Sequence, residues 1–231
     1  MRWWVLLSAI LVMLSAGCLV SCINNNADNA IGDNNHQSVA ENEQESKQGL
    51  SEQASGGGNM SAKVLFIIAQ SNFRDEELSK PKAILEKAGH ECYVASIDTA
   101  LARGMLGGVV KPDLAVGEAE AEDFDLFVVV GGSGAPPLAS HREVIELLGA
   151  AVNSRKKIAA ICLGPMVLAK AGVLNGFKAT VFKTKESLAA LTDGGAIYVE
   201  QSVVVDGELV TASGPEAAEE FGNALVKLLQ G

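Results

Sequence analysis

A chain of 231 residues with 48% apolar side chains can bury a sizeable core in one or two domains. Its 28 acidic against 18 basic residues leave a net charge of −10, with no cluster of Lys and Arg to neutralise a phosphate backbone, which argues against a nucleic-acid partner. No pair of its four cysteines (Cys18, Cys22, Cys92 and Cys162) has zinc-ligand spacing with a second matching pair, so no metal is expected, and nothing in the pattern calls for a cofactor.

In chain order, residues 1–17 (MRWWVLLSAILVMLSAG) place one Arg before an apolar stretch too short to span a membrane comfortably, the layout of a secretory signal. Leu19-Val20-Ser21-Cys22 resembles a lipobox, with an aliphatic residue, two smaller ones and the cysteine that takes the lipid. Ser15-Ala16-Gly17-Cys18 is a second acceptable match, but the polar tract begins directly after Cys22. The expectation is a lipoprotein-type signal over residues 1–22. It places the remainder on the outer face of a prokaryotic membrane, lipid-anchored; an uncleaved N-terminal anchor would put it there too. Residues 23–62, rich in Asn, Gln, Ser, Glu and Gly, cannot bury enough apolar surface to offset the entropy of ordering and read as a flexible linker.

From Lys63 the pattern alternates. KVLFIIA reads as a buried strand, and EELSKPKAILEKAG as a helix closed by Gly89, with Pro81 in its first turns where its cost is least. HECYVAS is a second strand, and residues 97–117 an irregular excursion or hairpin. DLFVVV is a third strand ending in Gly131-Gly132, HREVIELLGAAVNSRK a helix, and KIAAI a strand that runs into Cys162 and a further helix to Gly172. KATVF and KESLAALTDGG continue the alternation. AIYVEQSVVVDGELVTAS then reads as strands joined by an Asp206-Gly207 turn, before a final helix over PEAAEEFGNALVKLL. Continuous apolar strands separated by helices predict a mostly parallel sheet with helices on both faces, a three-layer α/β sandwich over residues 63–231. Ligands bind such sheets at the carboxyl ends of the strands. Three loops converge there: Gln70–Glu77, Gly131–Pro137 and Cys162–Pro165.

Cys162 stands between a strand and a helix with Gly164 two residues on, the arrangement of a nucleophile elbow. The positive helix end should lower its pKa, whereas a buried, inert cysteine is the alternative. Gly131-Gly132 would let backbone amides approach a ligand or oxyanion. Glu77, at the same sheet edge, can be held partly neutral and donate a hydrogen bond to sulfur, while Asp75 and Glu76 read as solvated acids of the first helical turn. A Cys92–Cys162 disulfide is left open. His90 and His141 read as surface histidines.

AICLGP, the VGG strand end, the FRDEEL segment and the VVVDGELVTASGP tail together resemble the ThiJ/PfpI superfamily, over Lys63 to Gln230. That family includes the parkinsonism-associated deglycase and PfpI-like peptidases. The resemblance implies a flavodoxin-like fold, commonly a homodimer. It implies that Cys162 is the reactive cysteine, that Glu77 hydrogen-bonds its sulfur, and that the Gly132 and Leu163 N–H groups line an oxyanion or sulfinate pocket beside Gly131. Two family positions depart. Leu163 stands where PfpI-like peptidases carry His directly after the nucleophile, and Ala196 follows Gly194-Gly195 where the deglycase branch carries His. Without an imidazole, peptide hydrolysis lacks the base and acid that a Cys–His pair supplies. The resemblance therefore implies a glyoxalase- or deglycase-type reaction on a small carbonyl substrate. Sensing an oxidant through Cys162 is the alternative, and a cysteine peptidase or amidase the disfavoured one.

Overall fold

The computed structural model describes residues 61–231. The expected signal, linker and lipidated cysteines Cys18 and Cys22 lie outside the described residues.

The chain forms, in order, β1 (Lys63–Ile67), β2 (Ser71–Phe73), α1 (Asp75–Lys87), β3 (Glu91–Ser96), β4 (Ala102–Gly104), β5 (Val109–Val110), β6 (Leu114–Ala115) and β7 (Leu126–Val129). Next come α2 (Ala135–Leu138), α3 (Arg142–Asn153), β8 (Lys157–Ile161), α4 (Gly164–Lys170), β9 (Lys178–Ala179) and α5 (Lys185–Asp193). The last elements are β10 (Ile197–Tyr198), β11 (Val203–Asp206), β12 (Leu209–Ala212) and α6 (Ala218–Gln230). Seven strands make the central sheet in the order β11-β12-β8-β7-β1-β3-β6. All of its pairings are parallel except β11 with β12, the hairpin turned at Asp206-Gly207.

Strand alternation divides the core into two layers. Val64, Phe66, Val128 and Ile161 pack with Leu78 and Leu85 of α1 and Phe221 and Leu225 of α6. Leu65, Ile67, Phe127 and Val129 pack on the other face with Leu148 of α3, Leu168 of α4 and Leu191 of α5. Helices thus cover both faces, and the three-layer reading holds. Phe66 is fully buried in the α1/α6 layer. Phe66→Ala should lower the unfolding free energy by roughly 3–5 kcal/mol in urea titration, through lost transfer energy and an unfilled cavity. A cost below about 1 kcal/mol would mean that the layer closes over the gap.

Two expectations are corrected and a third is resolved. KATVF does not enter the central sheet. Only Lys178–Ala179 is strand, paired with Ile197–Tyr198 in a separate ribbon. The Thr180 N–H donates to the Thr211 hydroxyl and the Thr180 hydroxyl to the Gln201 carbonyl instead, so the segment runs beside β12 from Asp206 to the Cys162 corner. Pro81 lies inside α1 and not near its start, where it removes the N–H that would reach the Glu77 carbonyl. Its buried ring packs where Gly222 of α6 has no side chain: a Cβ on Gly222 would meet the Pro81 Cα at 3.0 Å. Finally, β2, β4 and β5 form a small sheet of their own, which resolves the excursion after β3 as a hairpin docked beside the first loop.

Candidate active site

The strand order reverses between β1 and β7: from β1 the chain moves to β3, then returns to add β7, β8 and β12 on the other side. Such a switch point opens a crevice at the carboxyl ends of the strands. The loops after β1, β7 and β8 meet there. The Arg74 N–H donates to the Gly131 carbonyl at 3.1 Å and the Gly134 N–H to the Asn72 carbonyl at 3.0 Å. A Cβ on Gly131 would strike the Glu77 carboxylate and lie 2.6 Å from the Cys162 Cβ. Gly131 is therefore the gap through which carboxyl and thiol face each other.

Cys162 has φ +61°, a left-handed conformation unusual for a residue with a side chain. Two hydrogen bonds clamp it. Its N–H donates to the Ala212 carbonyl of β12 at 2.8 Å, and its carbonyl accepts from the Phe182 N–H at 2.9 Å. The segment after β9 thus braces the elbow. Strain of this kind persists only where neighbours fix it, and it collects at functional sites. Cys162 is 7% exposed. A cleft of about 350 Å³ opens on the neighbouring loops, lined by Gln70, Asn72, Ser133 and His141, but it takes in neither Cys162 nor Glu77.

Glu77 lies in the first turn of α1 and is completely buried. Neither of its carboxyl oxygens reaches full hydrogen-bond geometry with a partner, though the Cys162 thiol and the Gly131 N–H both favour its charged form. Desolvation outweighs them and pushes the carboxyl up to about 7. At Cys162, burial and then the charge of Glu77 push the thiol up to about 12, against the N–H groups of Gly132 and Leu163, which favour thiolate. The expectation of a lowered thiol pKa is therefore reversed: two amides do not offset burial next to a carboxylate. The pair gives up the first of its two protons near pH 7 and above that holds one between carboxyl and thiol. The amides also divide their work. Gly132 and Leu163 act on sulfur, whereas Gly131 acts on the carboxyl.

Arg74, which the sequence pattern did not single out, completes the site. Its Nε–H donates to Glu76 at 2.8 Å, and its charge acts on Glu77 and Cys162. Nor are Asp75 and Glu76 merely solvated. Asp75 accepts from the Leu106 and Gly108 N–H groups at 2.8 and 2.7 Å, tying the β4–β5 hairpin to α1, and Glu76 pairs with Arg74. His90 is buried, not on the surface. It lies at the amino end of β3 with Nδ1 accepting from the Ala62 N–H, at the opposite end of the sheet from Cys162. His141 is half-buried beside Glu143 at 3.4 Å. Cys92 and Cys162 are both free thiols.

Gly132, at φ +97°, packs edge-on against the first loop: a Cβ there would lie 2.5 Å from the Arg74 nitrogen. Gly132→Ala should cost roughly 1–3 kcal/mol in urea titration through backbone strain and slow alkylation of Cys162 by displacing the amide. Unchanged stability and reactivity would contradict this packing.

The DJ-1/PfpI family model matches residues 62–228. The chain belongs to the DJ-1/PfpI family. An uncharacterized protein of Methanocaldococcus jannaschii is 40% identical over 170 residues, covering 73% of this chain and 83% of the relative. Deglycase PfpI of Pyrococcus furiosus is 33% identical over 168 residues, 73% of this chain and 99% of that one. The glutathione-independent glyoxalase DJR-1.2 of Caenorhabditis elegans is 28% identical, over 73% and 89%. Among solved structures, a ThiJ/PfpI domain protein from Brachyspira murdochii superposes with TM-score 0.70 at 32% identity, covering 74% of this chain and 97% of its own. The flavodoxin-like sandwich is thus common to this DJ-1/PfpI member and its solved relatives.

Proposed function

We propose that this chain is a cysteine-dependent enzyme acting on small reactive carbonyl compounds, with Cys162 as nucleophile and Glu77 as the proton-transfer group. The observation that carries the reading is the buried Glu77 carboxyl set against the Cys162 elbow across Gly131, with an affinity for protons matched to neutral pH. The Glu77 carboxylate takes the thiol proton as sulfur bonds to the carbonyl carbon. The C=O π pair moves to oxygen, where the Gly132 and Leu163 N–H groups receive the charge. Glu77 then returns the proton to that oxygen, giving a hemithioacetal. The deglycase and glyoxalase names of relatives support carbonyl chemistry. Peptide hydrolysis is disfavoured: Leu163 follows the nucleophile, and neither His90 nor His141 is among the groups acting on Cys162.

The proposed setting is extracytoplasmic. A lipid on Cys22, or on Cys18, would anchor the domain to the outer face of a membrane, as a homodimer. Turnover of methylglyoxal by purified protein is the test of the activity. A Cys162→Ser protein as active as wild type would refute it.

A further inference from the structure

A guanidinium carries five N–H donors. At Arg74, Nε donates to Glu76 Oε2 at 2.8 Å and Nη2 to Glu76 Oε1 at 3.2 Å, both along one edge. The other three N–H groups have no partner among the described residues. Arg74 is the N-cap of α1, one turn before Glu77, and its backbone is pinned by the hydrogen bond to Gly131 and by Gly132 packed against its nitrogen. The cation therefore shares a mount with the amides that face the Cys162 sulfur. Its side chain is 29% exposed, partly open to a ligand. Of the acids around it, Asp75 is committed to the β4–β5 hairpin, Glu77 faces the thiol, and Glu76 covers one edge only.

We infer that Arg74 is a specificity-determining residue, which makes the Cys162 site prefer carbonyl compounds bearing a carboxylate or phosphate group beside the reacting carbon. The free edge of a guanidinium fits two oxygens of such a group in a charge-assisted, forked contact. Addition proceeds as above: the S–C bond forms, the C=O π bond opens, and the thiol proton passes through Glu77 to oxygen. The anionic group stays unchanged on Arg74. The substrate class rests on the carbonyl reading, but the test does not need turnover.

The test compares alkylation of Cys162 by iodoacetate and by iodoacetamide, reagents of similar size that differ in charge. Reaction at Cys162 is separated from Cys92 by peptide mapping and referenced to a free cysteine peptide. At low ionic strength the iodoacetate-to-iodoacetamide rate ratio at Cys162 should exceed that of the free peptide by about tenfold. Arg74→Gln should return the ratio to the free value, Arg74→Lys should keep part of the preference, and Glu76→Gln should raise it, with thermal unfolding of each variant as a check on folding. A wild-type ratio equal to the free peptide, a ratio untouched by Arg74→Gln, or no reaction of Cys162 with either reagent would overturn the inference. Charge preference without turnover of either methylglyoxal or glyoxylate, an aldehyde that bears a carboxylate, would sink the enzyme reading and spare Arg74. Turnover without charge preference would do the reverse.

Discussion

Cys162→Ser should lower methylglyoxal consumption by about a thousandfold or more, while the Cys92→Ser protein stays within about twofold of wild type. The contrast is instructive because burial pushes both thiols up to about 12. What separates them is what surrounds the sulfur. Cys92 Sγ lies 4.0 Å from the Lys82 carbonyl, and the charges of Glu86 and Lys82 act on it, but no backbone N–H is among the groups acting on it to stabilise a developing oxyanion. Cys162 has a carboxyl to take its proton and two amides for the charge that follows. A serine keeps the elbow and the amides, but a hydroxyl is a far weaker nucleophile beside a base of pKa about 7. Stability should change by less than about 1 kcal/mol, since the side chain is small and the left-handed backbone is retained. Equal activities of wild type and Cys162→Ser would place the chemistry elsewhere.

Glu77→Gln should act in opposite directions on rate and stability. Removing the proton carrier should cost roughly 10²–10⁴-fold in methylglyoxal kcat/KM at pH 7.5, the usual range for general acid–base groups. Stability follows from the sign of the shift. The folded state holds the Glu77 proton up to about 7, against an ordinary 4.5. The favourable contribution of this group is thus fully present below pH 4.5 and is lost as pH rises to 7 and beyond. At pH 8 the wild type carries a buried carboxylate that glutamine does not. The variant should therefore unfold at higher urea there, by an amount on the order of 3 kcal/mol, and the gain should fade by pH 4.5. A residue kept at such a cost to stability is one held for chemistry. A variant less stable than wild type at pH 8 would contradict the burial account.

The Cys162–Glu77 pair was legible because each half has a local signature. The elbow needs a strand, two residues and a Gly-led helix, all contiguous from Lys157 to Lys170. Glu77 was within reach because strand alternation places the loop after β1 at the same sheet edge. Arg74 was not legible: its role depends on its N-cap position meeting the Gly131-Gly132 backbone of another strand, a contact 57 residues apart in sequence. Asp75 was misread for a similar reason, since its partners Leu106 and Gly108 lie on a distant hairpin. KATVF misled because Ala179 and Val181 are buried in the core layer beneath α4 and α5 without pairing into the central sheet, while Phe182 is exposed. The thiol pKa was misjudged because sequence shows the helix end behind Cys162 but not how deeply the sulfur is buried.

The central claim is that Cys162 and Glu77 act as one proton-sharing unit. Its most direct test is the pH dependence of Cys162 alkylation by iodoacetamide, from pH 5 to 10, in wild type and Glu77→Gln. The wild-type rate should rise through an inflection near 7, where the pair loses its first proton and the Glu77 carboxylate becomes available to the thiol. In Glu77→Gln that inflection should vanish and reactivity should appear only at distinctly higher pH. A wild-type profile that inflects like a free thiol near 8.5, unchanged by the substitution, would contradict the account.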